Sequence, residues 1–349
     1  MSVSPGLSAG ASTLPLVSVV MPVRNERAYI SQSLNAVLQQ DYPVDRVEII
    51  VVDGASTDGT PEFVRSLQAA HPNLRLIDNP GRTAPKALNL AIAASKGEII
   101  VRVDGHCEIP PGHVSACVRL LQEGDVDGVG GPLETIGETP LSRVIAVAMS
   151  SRFGVGGSAF RTTSGRTQLT DTVAFPAYKR TALARAGRFD EDLVRNQDDE
   201  YNYRLRKMGG HILLSADLPV RYWSRGTIRS LWKQYFQYGF FKVRVLQKHP
   251  LQMRARQFVP PLFAAALMAA ALSVPFIKGG FWSLVGVTGA YVISNLAAAA
   301  IEARRIEPRL WLYLPIAFAT LHLSYGLGFL SGLCRFWNRW GEGDGTAKA

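Results

Sequence analysis

The chain has 349 residues, enough for a large folded domain and additional elements. Its formal net charge is +10, and there is no Asp or Glu from Leu218 to Ile301. Nucleic acid would explain such a basic stretch, but the apolar segments that follow favour anionic lipid as the partner instead. The three cysteines have neither metal-ligand spacing nor an even number, which argues against a disulfide framework and fits a reducing compartment.

The first 16 residues carry no charged side chain and no long apolar core. They therefore differ from a signal peptide, and we expect a short disordered lead-in. The folded part that follows is expected to stay in the cytosol.

Residues 17 to about 220 alternate between strand and helix patterns. Continuous apolar runs at 17–22, 47–53, 74–77 and 98–104 predict strands, and helix-spaced apolar positions lie between them. This alternation is typical of an α/β fold with a mostly parallel sheet, in which ligands bind beyond the carboxyl ends of the strands. Acids and asparagines follow three of these ends, in "PVRNE", "VDGASTDGT" and "VDGH". We therefore expect a ligand at this edge of the sheet.

The fourth predicted strand is followed by a carboxylate and an imidazole, Asp104 and His106. No Gly-x-Gly-x-x-Gly follows the first strand, and the sequence has no Gly-Lys-Ser/Thr phosphate loop, so a nucleotide would be held in another way. A carboxylate and an imidazole can bind Mg²⁺ or Mn²⁺ together with phosphate oxygens and water. A plain turn after a strand is the alternative.

The stretch "NQDDEYNYRLRKMGG" predicts a helix from about residue 199 to residue 208. Asp198, Asp199 and Glu200 crowd its first turn, where the helix dipole favours carboxylates. Capping of the helix explains one acid well and three poorly. An acid at this position is also suited to remove a proton from an acceptor hydroxyl.

Two segments leave alternatives open. Residues 151–168 are rich in Gly and Ser, which predicts a mobile loop over the site or a plain connection. Residues 228–256 mix aromatic and basic side chains at helical spacing. Such an amphipathic helix either lies at a membrane surface or packs on the soluble domain.

Three apolar segments near the C-terminus, 258–277, 281–301 and 310–334, have the length of membrane-spanning helices. Buried helices of a soluble protein are the less favoured interpretation. The link at 302–309 contains three arginines, so the positive-inside rule assigns it and the basic stretch before Phe258 to the cytosol. Three crossings would leave the tail outside, whereas its arginines favour the inside. Whether the third segment spans fully therefore stays open.

Together these motifs resemble the inverting glycosyltransferases of family 2, which have the GT-A fold. The resemblance rests on "VSVVMPVRNE", "VEIIVVDGASTDGT", "ALNLAIAASKGEIIVRVDGH", "GVGGP" and the acidic helix start followed by "YRLRKMGG", in this order. It covers residues 17 to about 240, and the whole chain is similar to membrane-bound exopolysaccharide enzymes of the succinoglycan type. The resemblance implies a Rossmann-like, mostly parallel sheet with flanking helices.

The expected domains follow from this. They are a lead-in at 1–16, a GT-A domain at 17–225, a basic interfacial segment at 226–257, a membrane domain at 258–334 and a tail at 335–349.

The resemblance also implies a nucleotide-sugar site. Asp53 matches the acid that binds the base, and Arg24 stands where many relatives have an aromatic that stacks on the base, a role that a guanidinium plane can take. The implied nucleotide-sugar residues are Pro22, Arg24, Glu26, Asp53, Lys86 and Asp104.

Asp104 and His106 match the Asp-x-Asp metal motif, with His106 in place of the second Asp. Asp198 matches the catalytic base, Asp199 is its rival, and Glu200 takes the second acid position. Gln197 stands where relatives have Glu.

On the acceptor or phosphate side the resemblance suggests five residues. The two glycines would permit close backbone approach, and the others would reach a phosphate or the acceptor. The five residues are Gly130, Gly131, Arg225, Gln234 and Tyr235.

The function expected from this resemblance is an inverting, metal-dependent transfer of a sugar, glucose by family analogy, from a UDP-sugar to a lipid-linked acceptor. The reaction would serve polysaccharide or glycan biosynthesis at the cytosolic face of a bacterial-type cytoplasmic (inner) membrane, and the chain would be multi-pass. The acceptor is either a growing lipid-linked oligosaccharide or polyprenyl phosphate itself, so a polyprenyl-phosphate glycosyltransferase is an alternative.

An alternative of another class is a non-catalytic membrane adaptor that binds a nucleotide-sugar or a synthase partner. A processive synthase is less expected, because the sequence has no Gln-x-x-Arg-Trp run. Expected partners are the UDP-sugar, the polyprenyl acceptor, membrane lipids and other polysaccharide-assembly proteins, but no nucleic acid.

Overall fold

The computed structural model describes residues 14–162, 165–224 and 226–340. Most of the predicted lead-in and the last nine residues of the predicted tail lie outside the described residues. The strands are β1 (Val17–Val23), β2 (Val47–Asp53), β3 (Leu74–Asp78), β4 (Ile99–Arg102), β5 (Cys107–Glu108), β6 (Gly128–Gly131), β7 (Leu133–Ile136), β8 (Gln168–Leu169), β9 (Ala174–Lys179), β10 (Ile212–Leu214) and β11 (Val220–Trp223). The helices are α1 (Ile30–Leu38), α2 (Thr60–Gln68), α3 (Ala84–Ala94), α4 (His113–Glu123), α5 (Pro140–Ser150), α6 (Arg152–Val155), α7 (Ala159–Thr162), α8 (Arg180–Ala186), α9 (Gln197–Lys207), α10 (Ile228–Lys248), α11 (Val259–Ser273), α12 (Gly280–Glu302) and α13 (Leu314–Arg335).

The centre of the fold is an eight-stranded mixed sheet with the order β3-β2-β1-β4-β9-β6-β10-β8. The strands β3, β2, β1 and β4 are parallel to one another, whereas β9 runs antiparallel between β4 and β6. The chain leaves β1 towards β2 and later returns to the other side of β1 as β4, which makes a topological switch point. Ligands bind at such points in α/β sheets, so the predicted fold class and ligand edge agree with the observed topology.

The continuous apolar runs form central strands because both faces of the sheet are covered by helices. The predicted strand at 47–53 coincides with β2, and the one at 17–22 extends by one residue in β1. The predicted strand at 98–104 was too long. Its pairing with β9 stops at Val101, and the Cys107 N–H then donates to the Asp104 carbonyl at 3.2 Å, so Asp104 lies in a turn.

A second sheet of three strands, in the order β5-β11-β7, lies next to this turn. β11 pairs antiparallel with β5 and parallel with β7, and this pairing brings Tyr222 beside Cys107. The small sheet thereby positions an aromatic side chain next to His106, with 5.2 Å between the ring centres.

Three C-terminal helices are long and apolar enough to cross a membrane by length and composition. Large apolar side chains of the α11–α12 region, including Phe276, Trp282 and Ile293, are 70% or more exposed, which suits contact with lipid. The first predicted span was too long, because Pro275 follows the end of α11 and the chain turns there. The third begins as a short 3-10 turn at Trp311–Tyr313 before α13.

Helix α10 packs tightly against α13. A Cβ atom on Gly239 would lie 2.0 Å from the carbonyl oxygen of Tyr325, and one on Gly328 would lie 2.1 Å from that of Phe236, so neither position accepts a side chain without movement of the backbone. Val243 and Arg244 of α10 are buried. The amphipathic segment is therefore mainly a packed internal helix, and it ends at Lys248 because Pro250 follows.

Candidate functional site

The loops after β1 and β2 are bonded to each other. The backbone N–H of Asn25 donates to Ser56 Oγ at 2.8 Å, that of Thr57 to Asn25 Oδ1 at 2.9 Å, and that of Glu26 to Thr60 Oγ1 at 3.0 Å. These bonds explain why both loops are dense in short polar side chains, which satisfy backbone groups that leave the sheet. The result is a rigid rim at the carboxyl ends of β1 and β2.

Asp53 ends β2 at this rim and is 4% exposed. Its Oδ2 accepts the Ser56 N–H at 2.9 Å, whereas its Oδ1 is buried and has no hydrogen-bond partner in the described part of the chain. A buried carboxylate oxygen without a partner is costly, so this atom is available for an N–H group of a ligand.

Other predicted nucleotide-sugar residues surround Asp53. Pro22 lies in β1 beside Val52 of β2, and Arg24 crosses the rim and donates to the Arg82 carbonyl at 3.2 Å. Lys86, in the first turn of α3, lies against Gly81, where a Cβ atom would come within 2.1 Å of its Cδ. These side chains are thus brought to one edge of the sheet.

Glu26 contacts His106 across the site, with 2.9 Å between Oε1 and Nδ1. Gly105 allows this approach, because a Cβ atom there would lie 2.8 Å from Glu26 Cγ. When Nδ1–H donates to the carboxylate, the Nε2 lone pair is left for a metal, and a carboxylate behind a histidine is a common support of metal sites.

The residues fit a divalent metal as a two-ligand site. No group of three or more His, Cys, Asp and Glu side chains with metal-binding geometry occurs within residues 14–162, 165–224 and 226–340. Each Asp104 oxygen accepts one bond from Arg102 and retains a further lone pair. Asp104 and His106 can therefore bind the metal only if phosphate oxygens and water complete its coordination shell, as is usual for Mg²⁺.

Arg102 joins two acids of the site and is 6% exposed. Its Nε and Nη2 donate to the two oxygens of Asp104 at 2.8 and 3.1 Å, and its Nη1 donates to Asp198. Burial alone would lower the pKa of Arg102, but the two carboxylates outweigh it and raise the pKa, so the guanidinium stays charged. The sequence analysis missed this residue, although a cation within the apolar run 99–103 was a signal.

The three acids at the start of α9 have three different partners. Asp198 faces Arg102, Asp199 pairs with Lys242 of α10, and Glu200 pairs with Arg204 at 2.5 Å and His249 at 3.0 Å. The helix begins at Gln197, earlier than predicted, after the left-handed Asn196.

These environments separate the acids chemically. Burial raises the pKa of Asp198, and the Arg102 guanidinium offsets only part of this effect. Burial would also raise the pKa of Glu200, but the hydrogen bonds from His249 and Arg204 lower it below the usual range. Glu200 is 2% exposed and does not line the cavity described next, whereas Asp198 and Asp199 do.

A cavity of about 950 Å³, the central cavity, joins these residues to the C-terminal helices. Asp104, His106 and Asp198 line one end, and Phe263 and Tyr291 of α11 and α12 line the other. The helices α6 and α7 form part of its wall, as predicted for the segment 151–168, of which Thr163 and Ser164 lie outside the described residues. The mobility of this segment stays a prediction.

The predicted acceptor-side residues lie in different places. Gln234 and Tyr235 line the central cavity, and Gln234 Nε2 donates to the hydroxyls of Tyr222 and Tyr238 at 3.3 and 3.1 Å. Gly130 and Gly131 are buried in β6 and do not line it. They lack side chains because a Cβ atom would meet Val173 at 2.8 Å or the Leu218 carbonyl oxygen at 1.5 Å. Arg225 lies outside the described residues.

Comparisons with known proteins bear on the family and the fold. The family described as Glycosyl transferase family 2 matches residues 18–185. The succinoglycan biosynthesis protein ExoA of Rhizobium meliloti is 27% identical over 92% of this chain and 96% of its own length. The dolichyl N-acetyl-alpha-D-glucosaminyl phosphate 3-beta-D-2,3-diacetamido-2,3-dideoxy-beta-D-glucuronosyltransferase of Methanococcus voltae is 25% identical over 91% of this chain and 97% of its own.

Among solved structures, the mannosyltransferase PcManGT of Pyrobaculum calidifontis, in complex with GDP-Man and Mn²⁺, has a similar fold. The TM-score is 0.57 at 24% identity, over 91% of this chain and 88% of that chain.

Proposed function

Residues 18–185 form a family 2 glycosyltransferase domain of the GT-A fold, and on this basis we propose that the chain moves a sugar from a UDP-sugar to a lipid-linked acceptor at the cytosolic face of a membrane. The chain is a glycosyltransferase of polysaccharide or glycan biosynthesis, like its full-length relatives. The observation that carries the proposal is the central cavity, which connects the acids of the sheet edge with the apolar helices.

The donor end of the proposed site is the rim around Asp53. Its buried Oδ1 without a partner among the described residues suits the N–H group of a uracil ring, and the neighbouring Arg24 guanidinium suits stacking on that ring. Pro22, Glu26 and Lys86 complete the proposed nucleotide-sugar set. Glucose is the expected sugar by family analogy.

The proposed metal ligands are Asp104 and His106, for Mg²⁺ or Mn²⁺. The Glu26 carboxylate, which accepts from His106 Nδ1–H, supports this role, because it orients the imidazole towards the central cavity. When bound, the metal neutralises charge on the diphosphate and makes UDP a better leaving group.

Asp198 is the proposed base. It takes the proton from the acceptor hydroxyl, whose oxygen forms a bond with the anomeric carbon as the bond from that carbon to UDP breaks on the opposite side, and the configuration inverts. Burial makes this carboxylate more basic than an exposed one, which favours proton transfer near neutral pH. Asp199 is a poorer candidate, because the buried Lys242 ammonium pairs with it, whereas Asp198 shares the Arg102 guanidinium with Asp104.

The acceptor and the location are inferred from the C-terminal half. Three helices suit a membrane by length and composition, and the arginines at 302–309 favour a cytosolic link, hence a cytosolic catalytic domain and a multi-pass chain in a bacterial-type inner membrane. The Methanococcus relative is named for a dolichyl-linked sugar phosphate, which supports a lipid-linked acceptor here.

The test uses detergent-purified full-length protein, native lipid extract and a panel of UDP- and GDP-sugars, with and without EDTA. We expect UDP release from one UDP-sugar, loss of release with EDTA, and labelled sugar in the lipid fraction. Release that needs no lipid extract and leaves no labelled lipid would contradict the lipid-linked acceptor. Release from GDP-sugars alone would contradict the proposed donor, and full release in EDTA would contradict the metal.

A further inference from the structure

The central cavity contains a cation with an unsatisfied donor, Arg161 of α7. Its Nη1 is buried and has no hydrogen-bond partner within the described ranges. The guanidinium carbon lies 5.5 Å from the ring centre of Phe160 and 5.6 Å from that of Tyr222, so the side chain is held against two aromatic rings. The side chain as a whole is half-buried, and a buried N–H without a partner is costly, so an anionic ligand held by this guanidinium would remove the cost.

Three neighbouring cations of the same wall have protein partners. Arg254 pairs with Asp171 at 3.0 Å, Lys242 pairs with Asp199, and Arg195 donates to the Gln237 side chain at 3.1 Å. Arg161 also lines the cavity, and it differs from these three in having a buried N–H without a hydrogen-bond partner in the described part of the chain.

The position of Arg161 separates it from the donor end. The rim around Asp53 is formed by β1 and β2, on one side of the switch point. Arg161 lies instead against Tyr222 of β11, in the second sheet, and the Tyr222 ring is also 5.2 Å from the His106 ring. The Asp104–His106 pair therefore lies next to the same aromatic ring as Arg161 but belongs to the metal and donor side.

Beyond Arg161 the cavity becomes apolar and enters the helices that suit a membrane. Phe263 of α11 stacks on Tyr291 of α12 with 4.3 Å between ring centres, and Val287 and Ala290 continue this wall along α12. An apolar passage along two helices that suit a membrane fits a hydrocarbon chain.

We propose that the central cavity is the binding site of a lipid phosphate or diphosphate, with the phosphate on Arg161 and the hydrocarbon chain along Phe263, Val287 and Ala290 into the bilayer. This inference rests on the proposed function and specifies where its acceptor binds. An anionic head and an apolar tail match the two ends of one continuous cavity, and the head then lies beside the metal and base side chains.

The first test uses titration calorimetry on the full-length protein in detergent. It measures the binding of three ligands, which are farnesyl diphosphate, inorganic pyrophosphate, and UDP in the presence of Mn²⁺. We expect farnesyl diphosphate to bind at least about tenfold more tightly than pyrophosphate, since the chain adds buried apolar area. Arg161→Ala should weaken the binding of farnesyl diphosphate at least about tenfold and leave the affinity for UDP unchanged. Arg161→Lys should have an intermediate affinity for farnesyl diphosphate.

Two controls match these changes. Arg166→Ala removes an exposed cation of the same segment, and it should bind all three ligands like the wild type. Ala290→Phe should block the passage and weaken the binding of farnesyl diphosphate but not that of pyrophosphate. Ala300→Phe, at an exposed site of α12 outside the cavity, should leave both affinities unchanged.

The inference is overturned if Arg161→Ala weakens UDP as much as farnesyl diphosphate, because Arg161 then belongs to the donor site. It is also overturned if farnesyl diphosphate binds no better than pyrophosphate. Transfer of labelled sugar to native lipid separates the two proposals. No labelled lipid with the wild type contradicts the proposed function, whereas labelled lipid that is insensitive to Arg161→Ala contradicts only this inference.

Discussion

The Arg102 guanidinium bonds both oxygens of Asp104 and also donates to Asp198, so one buried cation links the proposed metal ligand with the proposed base. It holds two carboxylates of the same site in fixed positions, and its single positive charge offsets one of their two negative charges. Arg102 is therefore a positioning residue, which acts through the two acids.

Replacement of Arg102 should affect transfer through both acids. In Arg102→Gln the two carboxylates lose their shared cation, and we expect kcat to fall about 10²-fold with the acid limb of its pH profile moved to higher pH, because Asp104 then raises the pKa of Asp198 without compensation. Arg102→Lys should move the midpoint of this acid limb part of the way back towards the wild-type pH. A fall in kcat with an unchanged pH profile in both variants would contradict the link to Asp198.

Replacement of Asp198 should mainly lower kcat, whereas replacement of Asp199 should mainly lower the free energy of unfolding. Asp198→Asn should keep UDP affinity and lower kcat about 10³-fold, as for loss of a general base. Asp199→Asn leaves the Lys242 ammonium buried without its carboxylate, so it should mainly lower the free energy of unfolding, by about 2 kcal/mol. Thermal unfolding and single-turnover transfer measure the two effects. The reverse pattern would make Asp199 the base.

Metal-dependent UDP binding should depend on Asp104 and on the support of His106. Asp104→Ala should abolish the gain in UDP affinity that Mn²⁺ gives, and Glu26→Gln should weaken Mn²⁺ binding by about 10- to 100-fold, because the imidazole loses its carboxylate. Glu108→Gln is the matched control, since Glu108 pairs with the exposed Arg221. Titration calorimetry with and without Mn²⁺ decides, and an unchanged Mn²⁺ effect in Asp104→Ala would refute the metal role.

The pH dependence of transfer should reflect the burial of Asp198. The base works only when it is unprotonated, and its pKa is raised by burial, so activity is present above this pKa and is lost as the pH falls through it. The midpoint of the acid limb of kcat should therefore lie above the ordinary pKa of an exposed aspartate. Fluorescence at each pH checks that the protein stays folded. A midpoint at or below the ordinary value would contradict the assignment.

The crossing of α10 and α13 should not tolerate a methyl group at Gly239. Gly239→Ala places a Cβ atom 2.0 Å from the Tyr325 carbonyl oxygen, and we expect a loss of about 1–3 kcal/mol in unfolding free energy together with reduced transfer. Gly289→Ala is the matched control, because nothing lies within 4 Å of a Cβ atom there. Equal thermal stability of the two variants would show that the crossing is looser than described.

The strands and loops of the donor edge were predictable, because their signals are local. The runs that became β1 and β2 are continuous and apolar, and the short polar residues after them bond neighbouring loops in the way their composition indicates. The apolar C-terminal helices were predictable for the same reason, with an error of a few residues where Pro275 follows the end of α11.

The partners of the acids were not predictable, because they are distant in sequence. Glu200 meets His249, 49 residues away, and Asp199 meets Lys242, 43 residues away, so the acidic helix start looked like one catalytic group. Arg102 is conspicuous as a cation in an apolar run, but its partner Asp198 is 96 residues away, and the close packing of Gly130 against Val173 is likewise a contact between distant segments. Only the tertiary structure distinguishes these roles.

The glycine-lined crossing of α10 and α13 is too close-packed to accept a side chain at Gly239 or Gly328 without movement of the backbone. Through Lys242 and Asp199, α10 also holds the start of α9, so on the proposed membrane location Asp198 would keep one height above the bilayer surface. The protein would then select the acceptor hydroxyl by its distance from the lipid phosphate, because only a hydroxyl at that distance reaches the base. Once a sugar has been added, the new end of the glycan extends past this height. Each bound acceptor would therefore receive one sugar before it dissociates, and a different enzyme would add the next sugar.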